Sequence, residues 1–226
     1  MLQAVIFDFD GVITDTEVLH HRTFNKVLSQ YGINITATDY YQHYLGLSDF
    51  DLFRLFIDEG KLDISSEQID TLIKQKNQLF EELIKDDGEI IEGVRDLLQL
   101  LSQNNILMAI CSGALLAEIN LILENAELLH FFEVIVSAEQ VRKGKPDPQG
   151  FLLALERLNA KSENPITADQ CVVIEDSHWG IEAGKSAKMH TIAITNSYDA
   201  EQLSMAEKVI EHLSQLTMDD LQGLCS

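Results

Sequence analysis

Val5-Ile6-Phe7-Asp8-Phe9-Asp10-Gly11 is a short apolar run that ends abruptly in two carboxylates and a glycine. Alternate side chains of an extended chain share a face, so Asp8 and Asp10 would meet where a buried strand ends. Packing does not require two acids there, and their repulsion is costly unless a cation or a proton is shared. Taken alone, Asp10-Gly11 also reads as a plain turn with Asp8 at its edge. The rest of the chain decides between the two.

Further short β-branched runs follow Ala4–Phe7 at Ile106–Ile110, Val134–Val136, Cys171–Ile174 and Thr191–Ile194. After residue 90 they alternate with helical patterns over Val94–Ser102, Leu115–Asn125, Pro148–Asn159 and Gly180–Ala187, the signature of βα units on a parallel sheet. Sites in such folds lie at the carboxyl ends of the strands. Between the first and second runs, residues 16–87 carry helical patterns only. Thr14 and Glu17 have capping-box spacing, and the helix behind them puts His20, Phe24, Val27, Leu28 and Tyr31 on one stripe before Gly32. A second helix is predicted from about Asp49 to Glu59, ending at Gly60. A third starts at Ser65, with Gln68 three residues on, and repeats Ile69, Leu72, Ile73, Lys76, Leu79, Phe80, Leu83 and Ile84 at helical spacing. The expected fold is therefore α/β: a Rossmann-like parallel sheet core of residues 1–15 and 88–226, with residues 16–87 inserted as a helical domain.

Three more segments end strands or open helices in polar groups. Cys171-Val172-Val173-Ile174 runs straight into Glu175-Asp176-Ser177, which reads either as a second acid pair or as an N-cap at Asp176 or Ser177. With Asp8 and Asp10 the pair suggests an oxygen-only site for a hard cation, Mg²⁺ rather than zinc. Ile106–Ile110 leads through Cys111 into Ser112-Gly113-Ala114, which offers a hydroxyl and backbone N–H groups to a phosphate or serves as a simple cap. Lys143-Gly144-Lys145-Pro146-Asp147-Pro148 holds Lys145 in a stiff loop before a helix, although most loop lysines are merely solvated.

In this order the segments resemble the haloacid dehalogenase-like superfamily, whose pattern is DxDG, a Ser or Thr after the second strand, a loop lysine and an acidic pair. Here these are Asp8 and Asp10, Ser112, Lys145, and Glu175 with Asp176. The resemblance covers essentially the whole chain. Phe7 to Thr16, Gly144 to Pro148 and Glu175-Asp176-Ser177 look like the branch of β-phosphoglucomutases and sugar-phosphate phosphatases, in which a helical cap follows the first strand. It implies Asp8 as a nucleophile that becomes an aspartyl-phosphate and Asp10 as general acid and base. It implies Mg²⁺ held by the Asp8 carboxylate, the Asp10 main-chain oxygen and Asp176, with Glu175 a ligand or behind the ligands. Gly11, Ser112, Gly113 and Lys145 would bind phosphate oxygens. Thr16, His20, Gly46 and Lys76 match cap positions that face substrate; by pattern alone His20 is a packing histidine, Lys76 a lysine snorkelling from the core edge, and Trp179 a helix-packing residue.

Dehalogenases of the superfamily lack the second aspartate, so Asp10 implies phosphoryl transfer. Two departures stand out. Glu92-Gly93 replaces the usual Pro-Gly after the cap, and Leu45-Gly46-Leu47-Ser48-Asp49 carries an acid where the mutases have an arginine for a second phosphate. The implied activity is a Mg²⁺-dependent phosphatase of small phosphorylated metabolites, sugar phosphates foremost. The alternatives are a phosphosugar mutase of the β-phosphoglucomutase kind and a non-catalytic metal- or phosphate-binding protein, against which the complete set of site residues argues.

Composition narrows the partners. A formal net charge of -21 over 226 residues repels nucleic acid and anionic lipid, so neither is expected as a partner. Cys111, Cys171 and Cys225 show no CxxC spacing and read as free thiols. The first residues do not resemble a signal peptide, and no run approaches a membrane helix, so a cytoplasmic protein is expected. The sequence leaves oligomeric state open, with a monomer as the working expectation.

Overall fold

The computed structural model of the chain describes residues 1–45, 47–87, 90–162 and 164–225, with 85–87 as backbone only. It divides into two compact units, Met1–Asp15 with Glu89–Ser226, and Thr16–Gly88.

The first unit is built on six parallel strands: β1 (Ala4–Phe7), β2 (Leu107–Cys111), β3 (Val134–Val136), β4 (Cys171–Glu175), β5 (His190–Ile194) and β6 (Lys208–Ile210), in the order β3-β2-β1-β4-β5-β6. This is the doubly wound order, and the reversal falls at β1, flanked by β2 and β4. All four residues of β1 and all five of β4 are buried, which is why these strands read as unbroken apolar runs rather than alternating ones. Ala4, Ile6 and Val173 pack with Phe151, Ala154 and Leu158 of one helix and Ala183 and Ala187 near another. Register does the rest: Phe7 stands opposite Ile110 on one side and Ile174 on the other, so Asp8, Cys111-Ser112 and Glu175 emerge at one level of the sheet.

The second unit is helical, with α1 (Glu17–Leu28), the single turn α2 (Ala37–Asp39), α3 (Asp49–Asp58) and α4 (Ile69–Asp87). Phe24, Val27 and Leu28 pack with Tyr40, Leu52, Phe53, Phe56, Ile69 and Leu72 in a core of their own. Ser65 and Gln68 form the capping box that opens this last helical run. Back in the first unit lie α5 (Val94–Gln103), α6 (Leu116–Asn125), α7 (Gln149–Asn159), α8 (His178–Ser186) and α9 (Met218–Leu224).

The structure corrects several local readings. Thr14 does not cap α1: it bridges Asp10 and Ile90, and Ile91 N–H donates to Ile13 O (3.0 Å), which pairs the outgoing chain with the returning one. The helix starts at Glu17, with Thr16 at the N-cap and no side-chain capping bond. The stripe of α1 ends at Leu28, and Tyr31 is 37% exposed on a following 3₁₀ turn closed by Gly32 at φ 71°. The Ala37–Asp39 turn, the π-helical turn Tyr40–Tyr44 and the edge strand β6 carry no apolar period and are additions to the sequence reading. Among the described residues no helix is long and apolar enough to cross a membrane.

Candidate active site

Asp8 is the first residue past β1, and its N–H donates to Ile174 O (2.9 Å), which extends the ladder one step beyond the strand. The residue is 9% exposed. Lys145 Nζ donates to Asp8 Oδ1 at 2.6 Å and lies 2.5 Å from Glu175 Oε1, so a single ammonium joins the acids that close β1 and β4. The lysine comes from the loop before α7, through the cis Lys145–Pro146 bond, and also sits 5.3 Å from the centroid of the Phe151 ring.

Glu175 is fully buried. Its Oε2 accepts from the N–H groups of Asp176 and Ser177 (3.1 Å each) and from Ser177 Oγ (2.8 Å). With Oε1 against Lys145, both oxygens are engaged, which makes Glu175 a strut for the loop. Gly180 allows this: a Cβ there would come 1.8 Å from the Glu175 carboxylate. Ser177, not Asp176, caps α8, accepting from Gly180 N–H (3.1 Å). Asp176 is thereby left to face Asp8, and oxygens of Asp8, Glu175 and Asp176 lie within 4.8 Å of one another. Gly11, at φ 76°, closes in from the other side; a Cβ there would stand 1.8 Å from Asp176 Oδ2.

Burial pushes the Asp8 carboxyl up to about 7, with Glu175 adding to the effect and Lys145 opposing it. Burial, Asp8 and Glu175 push Asp176 up to about 8. For Lys145, burial acts against the charge, but Asp8 and Glu175 outweigh it and hold the ammonium well above the usual lysine range. Once all three carboxylates are ionised, they and the one ammonium carry a net charge of -2, which a divalent cation would balance. The donor set is oxygen-only and anionic, and so fits Mg²⁺. Both aspartates bind protons more tightly when folded, between the ordinary carboxylate value of 3.8 and folded values of about 7 and about 8. The folded state then carries more protons in that window, and stability falls as pH rises through it. In EDTA, the thermal midpoint is expected to drop between about pH 5 and about pH 8, Mg²⁺ to raise it most at the higher pH, and Asp176→Asn to flatten the slope. A wild-type slope that Asp176→Asn leaves unchanged would contradict the assignment.

The structure brings most of the candidates together. Ser112 is 6% exposed and follows β2, with its N–H donating to Val136 O (2.9 Å). It does not cap α6, which begins at Leu116; instead Ser112 Oγ accepts from Ala114 N–H (2.9 Å) and shapes the turn at Gly113. Ser112, Gly113 and Lys145 line one cavity of about 490 Å³ with Val141 and Phe151. Cys111 borders it too, and burial pushes its thiol up to about 12, which favours the protonated form. Asp10 is half-buried and bridged to Thr14 beyond the turn.

Thr16, His20 and Lys76 belong to the helical unit, and Gly46 lies outside the described residues. Lys76 does not snorkel. It is 2% exposed, its Nζ lying 2.9 Å from Asp49 Oδ1 and donating to His20 Nδ1 (2.7 Å), between the rings of Phe24 and Phe80. An ammonium only donates, so His20 Nδ1 is the acceptor of this bond. His20 in turn stacks on Phe80, with centroids 4.2 Å apart. Trp179, read from sequence as helix packing, is 47% exposed and lies against His178 and Tyr198. Sequence patterns miss Asn196 and Ser197, loop residues that contact Gly11 and Asp176.

Comparison with known proteins agrees with this geometry. The chain is 33% identical to the "Phosphorylated carbohydrates phosphatase" of Thermotoga maritima over 84% of each chain. It is 28% identical to "Hexitol phosphatase B" of Escherichia coli, over 97% of this chain and 96% of that one. The solved structure of a β-phosphoglucomutase from Clostridium difficile superposes with a TM-score of 0.78 at 28% identity, covering 100% of this chain and 97% of that one. The family model for haloacid dehalogenase-like hydrolases matches residues 5–194, from the strand before Asp8 to the last residue of β5. On the family model, the identity to these relatives and the acidic switch-point site together, the chain belongs to the haloacid dehalogenase-like hydrolases.

Proposed function

We propose that this hydrolase is a Mg²⁺-dependent phosphatase of small phosphorylated metabolites, sugar phosphates foremost, acting through an aspartyl-phosphate on Asp8. The observation that carries the reading is the Asp8 carboxylate, which ends the central strand, is gripped by Lys145 and stands among two further acids. Similarity to phosphatases named for phosphorylated carbohydrates and hexitols supports the substrate class.

An Asp8 oxygen attacks phosphorus, the bond from phosphorus to the leaving alcohol oxygen breaks, and Asp10 gives that oxygen its proton. Water then attacks the phosphorus of the aspartyl-phosphate, Asp10 takes up a water proton, and inorganic phosphate departs with the Asp8 carboxylate restored. Gly11, Ser112, the Gly113 amide and Lys145 hold the non-bridging oxygens of the phosphoryl group, and the paired Lys145 stays cationic throughout. Asp8, the Asp10 main-chain oxygen and Asp176 are the Mg²⁺ ligands in this reading, with Glu175 behind them; its two engaged oxygens support that place. Mg²⁺, when bound, neutralises charge between nucleophile and phosphate. The helical unit is assigned the part of the cap that selects substrate, with Thr16, His20 and Lys76 its candidate specificity residues. A cytoplasmic location goes with this, where the free thiols of Cys111, Cys171 and Cys225 stay reduced. A panel of phosphorylated metabolites, scored for released phosphate with Mg²⁺ and with EDTA, tests the reading. Full activity in demetallated protein overturns it.

The second reading is a mutase, favoured by the structural match to a β-phosphoglucomutase. A mutase must grip the distal phosphate of a bisphosphate, which calls for a cationic clamp, preferably a bidentate arginine. The cap unit supplies Asp49 at that position, and Asp49 already neutralises Lys76. Arg54, on α3, is paired with Asp58 at 3.1 Å. Incubated with β-glucose 1-phosphate, Mg²⁺ and a trace of glucose 1,6-bisphosphate, the enzyme is expected to release phosphate with no dependence on the bisphosphate. Rapid formation of glucose 6-phosphate with little free phosphate would favour the mutase.

A further inference from the structure

The segment leaving β5 carries no motif, yet it is tied to both acidic loops. Thr195 N–H donates to Ile210 O (3.0 Å), anchoring its start on β6. Asn196 Nδ2 donates to the Gly11 carbonyl oxygen (2.7 Å), and Ser197 Oγ donates to Asp176 Oδ2. Tyr198 then packs edge-on against His178 (5.2 Å, 83°) and Trp179 (6.2 Å, 80°), which open the helix behind Asp176. Asp176 and Ser197 also meet at Gly11, where a Cβ would stand 1.8 Å from Asp176 Oδ2 and 3.1 Å from Ser197 Oγ.

We infer that Asn196 and Ser197 are positioning residues of the metal centre, Ser197 fixing the Asp176 carboxylate and Asn196 fixing the Asp10–Gly11 turn. Asp176 faces two other acids, and a carboxylate under that repulsion keeps its orientation only if a donor holds it from outside the cluster. Glu175 has Lys145 and two loop amides for this purpose; among the contacts described above, the hydroxyl of Ser197 is the one that holds Asp176. Asn196 acts one step further out. The Gly11 carbonyl it holds follows directly on Asp10, so its amide sets the turn that presents the Asp10 main-chain oxygen. Tyr198, wedged on His178 and Trp179, keeps both side chains at this distance.

The inference rests on the Mg²⁺-dependent reading, and the test uses the metal alone so that the two can fail separately. Purified full-length wild type, Ser197→Ala, Ser197→Thr and Asn196→Ala are titrated with Mg²⁺ by calorimetry and with Mn²⁺ by EPR, without substrate, alongside thermal midpoints. Ser197 is exposed, which leaves room for the threonine methyl. Ser197→Ala is expected to weaken metal binding by about 10-fold or more, as is typical when an outer partner of a ligand is lost, and Asn196→Ala to weaken it less. Ser197→Thr, which keeps the hydroxyl, is expected to bind as wild type does. Equal affinity of wild type and Ser197→Ala overturns the inference while leaving the metal reading intact. Equal weakening in the alanine and threonine variants also overturns it, since a packing role alone would account for that. A wild type that binds neither ion overturns both.

Discussion

Asp8→Asn is expected to lower turnover by at least about 10⁴-fold, the scale seen when a covalent nucleophile is removed. The amide is nearly isosteric with the carboxylate but is a poor nucleophile and cannot end the reaction as a restored carboxylate. Loss of folding does not explain the effect in advance. The carboxyl is pushed up by burial and by Glu175, so neutralising it removes repulsion from a buried cluster at the cost of its bond to Lys145. The thermal midpoint in EDTA at alkaline pH is therefore expected to hold within a few degrees while activity vanishes, and brief incubation with a ³²P-labelled substrate should leave label on wild type only. Near-normal turnover in Asp8→Asn removes the nucleophile from the scheme. Asp10→Asn is expected to lose about 10²–10⁴-fold, the range for a general acid–base, and to retain some labelled enzyme, since the role proposed for it in the first step is to assist the leaving group.

Which of these residues can be read from sequence depends on how each is held. Asp8, Ser112 and Asp176 follow buried strands and Glu175 ends one, and a buried parallel strand gives an unbroken apolar run that stops where the polar residue begins. The site is legible because the hydrophobic pattern marks its edge. Lys145 is legible through its loop, but only the fold shows that one ammonium bridges Asp8, 137 residues away, and Glu175. Lys76 marks the opposite limit. Helical spacing correctly puts it on the apolar stripe of α4, while its partners Asp49 and His20 come from other helices, so the same spacing serves a snorkelling lysine and a buried ion pair. Strand β6 has only Ile210 fully buried among its three residues, too little contrast for any period to register. The turn at Ala37 did carry a signal: Thr36 with Asp39 three residues on is a capping pair, and Thr36 Oγ1 accepts from Asp39 N–H (3.0 Å). Asn196 and Ser197 are illegible for a plain reason. Each makes one side-chain bond across a loop, and a single bond leaves no period, no charge run and no composition bias.

Lys145→Met is expected to cost both activity and stability, and the pH dependence of the second loss separates this site from an ordinary surface ion pair. The ammonium is held between Asp8 and Glu175, the latter wholly buried. A methionine of similar length fills the space but leaves two carboxylates without a counter-charge beside Asp176. Breaking a buried pair by removing one partner costs about 3–5 kcal/mol, because the remaining charge is stranded in a medium that solvates it poorly. The acids have an escape in protonation. With folded values already at about 7 for Asp8 and about 8 for Asp176, and with the lysine that opposed those shifts gone, both are expected to titrate higher still in the variant. The destabilisation is therefore expected to approach the full range at about pH 8 in EDTA and to shrink toward about pH 5, where Asp8 and Asp176 are protonated with or without the lysine. Adding Asp8→Asn to Lys145→Met removes one stranded charge, so the double variant is expected to be more stable at alkaline pH than Lys145→Met alone, a coupling that independent sites would not show. Turnover of Lys145→Met should fall by at least about 10²–10³-fold, the loss typical of one donor aimed at developing charge. Urea denaturation at the two pH values measures the first effect and phosphate release the second. A variant as stable as wild type at alkaline pH would mean that Lys145 does not neutralise the cluster, and the charge balance assigned to the centre would fail with it.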